Sequence, residues 1–220
     1  MNRALLVERV GYLLEQCAGR RVLHLGCTDW PYTQHKLANG ALLHAMIAQR
    51  ATSLVGVDAD KEGVDWLQGN GFPRTYLDNV EGFSHPAVLG EKYDLIVAGE
   101  IIEHLENPGL FLRSVQQLMR PTTDLIITTI NAYCFFRFIY YVFKEERVHP
   151  DHNYYFSPLV LRKLITRCGL DVVDFHYYPI GKEIRPLNPR KLVFLDDISR
   201  VLFPRASDGV IFKVRLPSRS

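Results

Sequence analysis

The sequence predicts an α/β fold, a Rossmann-like, doubly wound sheet of seven strands that is mostly parallel and carries a late antiparallel strand. Three observations predict it. The first five strand candidates alternate with helical patterns along the chain. Four of those five are nearly continuous apolar runs, as strands covered on both faces are. The last two candidates are joined by a long, proline-rich link from 180 to 208, which suits a late strand inserted antiparallel. Parallel crossovers are right-handed, so the helices divide between the two faces of the sheet.

Each element has its own signal. Leu5, Leu6, Arg9, Val10, Leu13 and Leu14 recur at helical spacing, predicting a helix over 2–17 that Gly19 closes. "RVLHLG" reads as the first strand. "GALLHAMIAQR" reads as a helix and "SLVGVD" as a second strand ending in an acid. "KEGVDWLQGNG" is a short helix stopped by glycines. "RTYLDN" and "YDLIVAG" are the third and fourth strands. Asn107 and Pro108 cap a helix that runs to Met119, where Pro121 stops it, and "DLIITTIN" is the fifth strand. Ser157 and Pro158 repeat the cap signal before a helix with Leu161, Leu164, Ile165 and Cys168 on one face. "LDVVDFHYY" is a sixth strand, "RKLVFLDDISRVLF" a helix and "GVIFKVRL" the last strand.

The 220 residues suffice for one domain over 1–220 with a real core. A hydrophobic content of 47% and a charged content of 23% mark an ordinary soluble chain; the formal net charge of +2 argues neither for nor against nucleic acid, and with no basic block to mark a binding arm no nucleic-acid partner is expected. Cys17, Cys27, Cys134 and Cys168 are scattered, so neither a zinc motif nor a disulfide framework is expected, and reduced thiols imply a cytoplasmic protein. Glu8 and Glu15 interrupt the N-terminal apolar residues, unlike a signal peptide. No apolar run approaches the roughly 20 residues that span a bilayer.

In a doubly wound sheet, ligands bind beyond the carboxyl ends of the strands. Those ends are Gly26-Cys27-Thr28, Asp58 followed by Ala59, Asp78-Asn79, Gly99-Glu100 and Asn131. A carboxylate at the end of the second strand accepts hydrogen bonds from both hydroxyls of a ribose. Asp78 and Asn79 suit the edge of an adenine. Gly26 lets the backbone approach a ligand closely. The GxGxxG fingerprint of a pyrophosphate site is missing, which argues against a nicotinamide dehydrogenase.

These segments resemble the class I S-adenosylmethionine-dependent methyltransferases. "VLHLGC", "LVGVDAD" and "YLDNVEGF" are similar to the family's first three motifs. "YDLIVAGEIIEHLENPGLFL" resembles the branch containing quinone-biosynthesis O-methyltransferases and related small-molecule and glycan methyltransferases, as does "LIITTIN" followed by "HPDHNYYFSPLVLRKLI". The resemblance spans about residues 20 to 178. It implies S-adenosylmethionine as cofactor, held by Gly26, Cys27, Thr28, Asp58, Ala59, Asp78, Asn79 and Gly99. Three departures stand out. His24 replaces an acid that orients the amino end of the methionine, Thr28 and Trp30 replace two glycines, and the segment 29–40 is longer than the family's loop. His24 reads either as a buried histidine satisfied by backbone or as a group near the cofactor.

An acceptor hydroxyl must lose a proton, and histidine has a suitable pKa. His149 and His152, in "ERVHPDHNYYF", and His104, after the fourth strand, are the candidate catalytic residues, with Glu103 a weaker one. No metal site is expected from their spacing. The acceptor implied is a small molecule or a sugar or glycan intermediate. Residues 132–156 read as a lid or substrate insertion. Within it "AYCFFRFIYYVF" is a core or lid segment, a homodimer face or a shallow membrane contact. The altered first loop leaves one rival reading, a non-catalytic methyltransferase-like partner subunit.

Overall fold

The computed structural model describes residues 6–143, 148–179 and 203–218. The helix expected over 190–203 lies, but for Phe203, outside them. Seven strands form one sheet in the order β3-β2-β1-β4-β5-β7-β6. They are β1 (Arg21–Leu25), β2 (Ser53–Asp58), β3 (Thr75–Leu77), β4 (Leu95–Gly99), β5 (Asp124–Ile130), β6 (Asp171–Tyr178) and β7 (Gly209–Arg215). The first five are parallel, and β7 runs antiparallel to both β5 and β6, the late reversal that the sequence predicts. β1 lies between β2 and β4, so the strand order reverses there and opens a crevice above the carboxyl edge.

The helices are α1 (Arg9–Cys17), α2 (Thr33–Ala38), α3 (Leu43–Ala48), α4 (Lys61–Gly69), α5 (Pro86–Leu89), α6 (Pro108–Ser114), α7 (Phe135–Phe143) and α8 (Pro158–Arg167). Alternate side chains of the central strands enter two cores on opposite faces. Leu23, Ile96 and Ile127 pack with Phe111 and Leu161 on one face, and Val22, Val97 and Ile126 with Leu13 and Ile47 on the other.

Several boundaries differ from expectation, each for a local reason. α1 starts at Arg9 rather than residue 2, because the Glu8 carboxylate accepts from the Val10 and Gly11 amides and caps the helix there. Leu6 and Val7 are extended instead, and Val7 donates to the Tyr177 carbonyl (3.0 Å) along the sheet's β6 edge. The helix expected over 40–50 shrinks to α3, and α2 precedes it. Gly40, in the left-handed region at φ +66°, turns the chain between them. The helix after Pro108 tightens into a 3₁₀ turn over Val115–Leu118. The signals at Asn107 and Ser157 act as read: each side chain accepts from an amide three residues on.

Candidate cofactor and acceptor site

A cavity of about 400 Å³ opens above the β1–β4 crevice, lined by Gly26, Asp58, Ala59, Asn79, Ile101 and His104 among others. Gly26 has φ +70°, and a Cβ there would stand 2.3 Å from Cγ2 of Ile101, so only glycine fits. Asp58 ends β2 at the cavity wall. Its Oδ2 accepts from the Thr28 amide (2.9 Å) and its Oδ1 from the Asp60 amide (3.0 Å). A carboxylate offers about four acceptor positions, so both oxygens keep capacity for a ligand's hydroxyls.

The other predicted cofactor residues divide by depth. Asp78 is buried and fully engaged, accepting from the amides of Asn79 (2.9 Å), Ser84 (3.1 Å) and His85 (2.9 Å) and from the Ser84 hydroxyl (3.1 Å). It shapes the loop that carries Asn79 to the cavity. Cys27 and Thr28 are buried behind the wall. Burial, then the Asp58 charge, pushes the Cys27 thiol well above its ordinary range, and Thr28 packs against Gly63 of α4. Gly99 ends β4. The space a Cβ would take there is bounded by Nη1 of Arg9 (3.7 Å), Leu43 (3.7 Å) and the buried Thr128 Oγ1 (3.8 Å), which has no hydrogen-bond partner among the described residues.

Beyond β4, the three predicted histidines converge. Ring centroids of His104 and His152 lie 4.6 Å apart, those of His149 and His152 4.7 Å, and those of His104 and His149 6.3 Å. The 148–156 loop is pinned here because the Asn153 and Tyr154 amides both donate to the Glu103 carbonyl (2.8 and 3.1 Å). The His104 Nδ1–H donates to the Asp151 carbonyl (2.9 Å), leaving Nε2 as acceptor. Burial, then the neighbouring His104 and His149, lowers the His152 pKa to about 4, and its buried Nδ1 is unpaired among the described residues. Glu103 is buried, accepts from the Thr129 hydroxyl (2.8 Å), and is pushed up to about 7 by burial and then by Glu100. Glu103, His104 and His152 each bring one ligand atom within 4.8 Å of one another, an N,N,O set able to hold a cation.

Two residues of the site were not singled out in the sequence. Arg9 reaches from α1 to the end of β4, where its Nη2 pairs with Oε2 of Glu100 (3.2 Å). Its one signal is a charge among the apolar positions of an amphipathic helix. At the position where an acid is usual, Nδ1 of His24 meets Nδ1 of His44 at 3.2 Å. Both rings are buried and held neutral, His44 with a pKa of about 4.

Comparison with known proteins settles the family. Residues 3–174 match the model of a methyltransferase domain. The chain belongs to this methyltransferase family. The methyltransferase is 26% identical over 194 residues to the ubiquinone biosynthesis O-methyltransferase of Proteus mirabilis, covering 80% of this chain and 74% of that one. Its fold is shared with a SAM-dependent methyltransferase from Archaeoglobus fulgidus, with a TM-score of 0.57, 14% identity and coverage of 93% and 90%. It is also shared with the N-methyltransferase NodS from Bradyrhizobium japonicum in complex with S-adenosyl-L-homocysteine, with a TM-score of 0.56, 12% identity and coverage of 96% and 85%. The cofactor is S-adenosylmethionine, and the spare acceptor positions of Asp58 beside the Gly26 cradle fit its adenosine end. No helix among the described residues is long and apolar enough to cross a membrane.

Proposed function

We propose that this methyltransferase methylates a hydroxyl group of a small acceptor and that the His104–His149–His152 cluster takes up the hydroxyl proton. The observation that carries this reading is the convergence of those rings at the cofactor cavity, whose wall includes His104. When bound, S-adenosylmethionine supplies a methyl group on a sulfonium, open to in-line displacement. The protein's task is then to hold and align the two reactants. Asp58 takes the ribose hydroxyls and Asn79 the adenine edge. Arg9 takes the methionine carboxylate, because its guanidinium has five N–H donors and, among the described residues, Glu100 is its one ion-pair partner. His104 lines the cavity and, with its Nδ1–H held by the Asp151 carbonyl, keeps Nε2 as the acceptor for the proton, while His152, neutral at pH 7, packs against it without adding a like charge.

The acceptor class follows from the surroundings. The relative from Proteus mirabilis is named a ubiquinone biosynthesis O-methyltransferase, which supports methyl transfer to oxygen. The described segments 132–143 and 148–156 act as a lid or substrate wall. Asn131 and Phe156 bridge their outer ends, and Arg137 of α7 lies 4.3 Å over the Tyr155 ring, tying the helix to the histidine loop. The exposed Phe138 and Tyr141 of α7 suit an apolar part of the acceptor. A phenol, a sugar or a glycan intermediate would present its hydroxyl to the same base. The Glu103–His104–His152 set favours a second reading, in which a divalent cation in that set binds the acceptor oxygen and lowers its pKa.

Calorimetric titration with S-adenosylmethionine and S-adenosylhomocysteine is the deciding test, followed by an acceptor screen of phenols and sugars. Micromolar binding is expected, and Asp58→Ala should weaken it about tenfold or more, the worth of a hydrogen bond to a charged group. His104→Ala should remove most turnover while leaving cofactor affinity intact. Turnover lost to a chelator and restored by added metal would favour the cation reading over the base. A folded protein that binds neither ligand would move the partner-subunit reading to first place.

A further inference from the structure

The methionine end of the cofactor carries an ammonium beside its carboxylate, and each charge needs an answering group. On the reading of Arg9 given above, the carboxylate is provided for. β1 offers nothing to the ammonium, since His24 is buried, neutral and turned to His44. Among the described residues, the carboxylates that act electrostatically on Arg9 include Glu100, Asp29 and Glu103. Asp29 is paired with Lys36, and Glu103 accepts from Thr129 within the histidine cluster.

Glu100 differs from both in its partners. Its backbone, like that of Asp29 (φ +58°), sits in the left-handed region, at φ +53°, a conformation that costs a non-glycine residue free energy. Its Oε1 accepts from the Tyr178 hydroxyl at 2.8 Å and its Oε2 meets Arg9 at 3.2 Å. Tyr178 is itself locked: its ring fills the space that a side chain on Gly209 would need, with Cζ 2.1 Å from the position of a Cβ. Burial, then the Glu100 charge, pushes the Tyr178 hydroxyl well above its ordinary pKa, so it stays a donor.

We infer that Glu100, aligned by Tyr178, binds the ammonium of the cofactor's methionine end and replaces the acid absent at His24. Arg9 and Glu100 then form a matched pair. Their mutual ion pair opens to take the two charges of the zwitterion, each keeping an opposite partner. This inference rests on the reading of the site as a cofactor pocket. It also gives a role to a segment beyond residue 174, where the family match ends.

Three ligands separate the possibilities: S-adenosylhomocysteine, its decarboxylated amine analogue, and 5′-methylthioadenosine, which has neither charge. Each is titrated into the wild type, Glu100→Gln and Tyr178→Phe. Glutamine keeps an acceptor oxygen for Tyr178 while removing the charge and the second acceptor, Oε2. Glu100→Gln should weaken the first two ligands about tenfold and leave the third unchanged. Tyr178→Phe should weaken the same two by about threefold with the third unchanged, a pattern that loss of fold would not give. Tighter S-adenosylhomocysteine binding by Glu100→Gln would show that Glu100 merely competes for Arg9, and would overturn the inference. So would unchanged affinity, or an equal loss for all three ligands. A wild type that binds none of them would instead overturn the cofactor reading itself.

Discussion

His24 and His44 show how one substitution changes the chemistry under a loop without breaking the fold. Two neutral imidazoles satisfy each other, one nitrogen donating and the other accepting, at 3.2 Å in a site closed to water. Protonating either ring would bury an unpaired charge. Both are therefore held below the ordinary histidine range, His44 at about 4. The sign follows from proton counting. Between about pH 6.5 and 4 the unfolded chain binds a proton that folded His44 refuses, so stability falls as pH falls through that window. Glu103, raised to about 7, acts in the opposite sense, because the folded form holds its proton until higher pH. A difference between variants isolates the pair. His44→Asn should flatten the loss of stability between pH 7 and 4 relative to wild type, measured as denaturation midpoints across that range. Parallel curves would mean that His44 titrates normally. Residue roles were legible where strand ends dictate them, as at Asp58 and Gly26. Glu100 was legible as a strand end, but its pairing with Arg9 was not, because that depends on how α1 crosses the sheet, which no local pattern encodes.

α7 is the element that departs most from a buried role. Phe138, Tyr141 and Val142 share one face at helical spacing and are 62%, 66% and 51% exposed. The same helix is tied to the histidine loop through Arg137 and Tyr155. If this face contacts the acceptor, the double substitution Phe138→Ser, Tyr141→Ser should raise KM severalfold for acceptors with an apolar substituent. It should leave S-adenosylhomocysteine affinity unchanged, and stability within about 0.5 kcal/mol per surface site. An unchanged KM would detach α7 from the acceptor. The strands and the capped helices α6 and α8 were legible because their signals are local: apolar runs, and Asn or Ser before proline. α2 and α5 were not. α2 has no side-chain cap bond and α5 is a single turn, and both are set by how the chain leaves β1 and β3.

Across the whole molecule, the two edges of the sheet do different work. The carboxyl edge gathers the site, with a strained Glu100 and a Thr128 hydroxyl that has no partner among the described residues. The amino edge is tied by charge. The buried Asp124, which opens β5, meets Arg20 (2.9 Å), Lys213 (3.3 Å) and Arg215 (2.5 Å), joining the start of β1 to β7 across the chain. Asp94 does the same for Arg21 and Arg120. Burial alone would raise the Asp124 pKa, but hydrogen bonds from Arg215 and Arg20 and the Lys213 charge outweigh it and hold the carboxyl below its ordinary value. Its contribution is thus present above the unfolded pKa of about 4 and is lost as pH falls through the lower folded value. Asp124→Asn should cost about 2–3 kcal/mol at pH 7, less than a fully enclosed pair because the arginines are part exposed and regain water. The gap between wild type and variant should close as the pH falls below the ordinary carboxylate value of about 4 and the carboxyl protonates. Cofactor affinity should not change, because the site lies at the other edge. Urea unfolding at both pH values, with a parallel titration of S-adenosylhomocysteine, measures all three. A variant as stable as wild type at pH 7 would make the cluster incidental, and a loss of affinity would show that the two edges are coupled through β5.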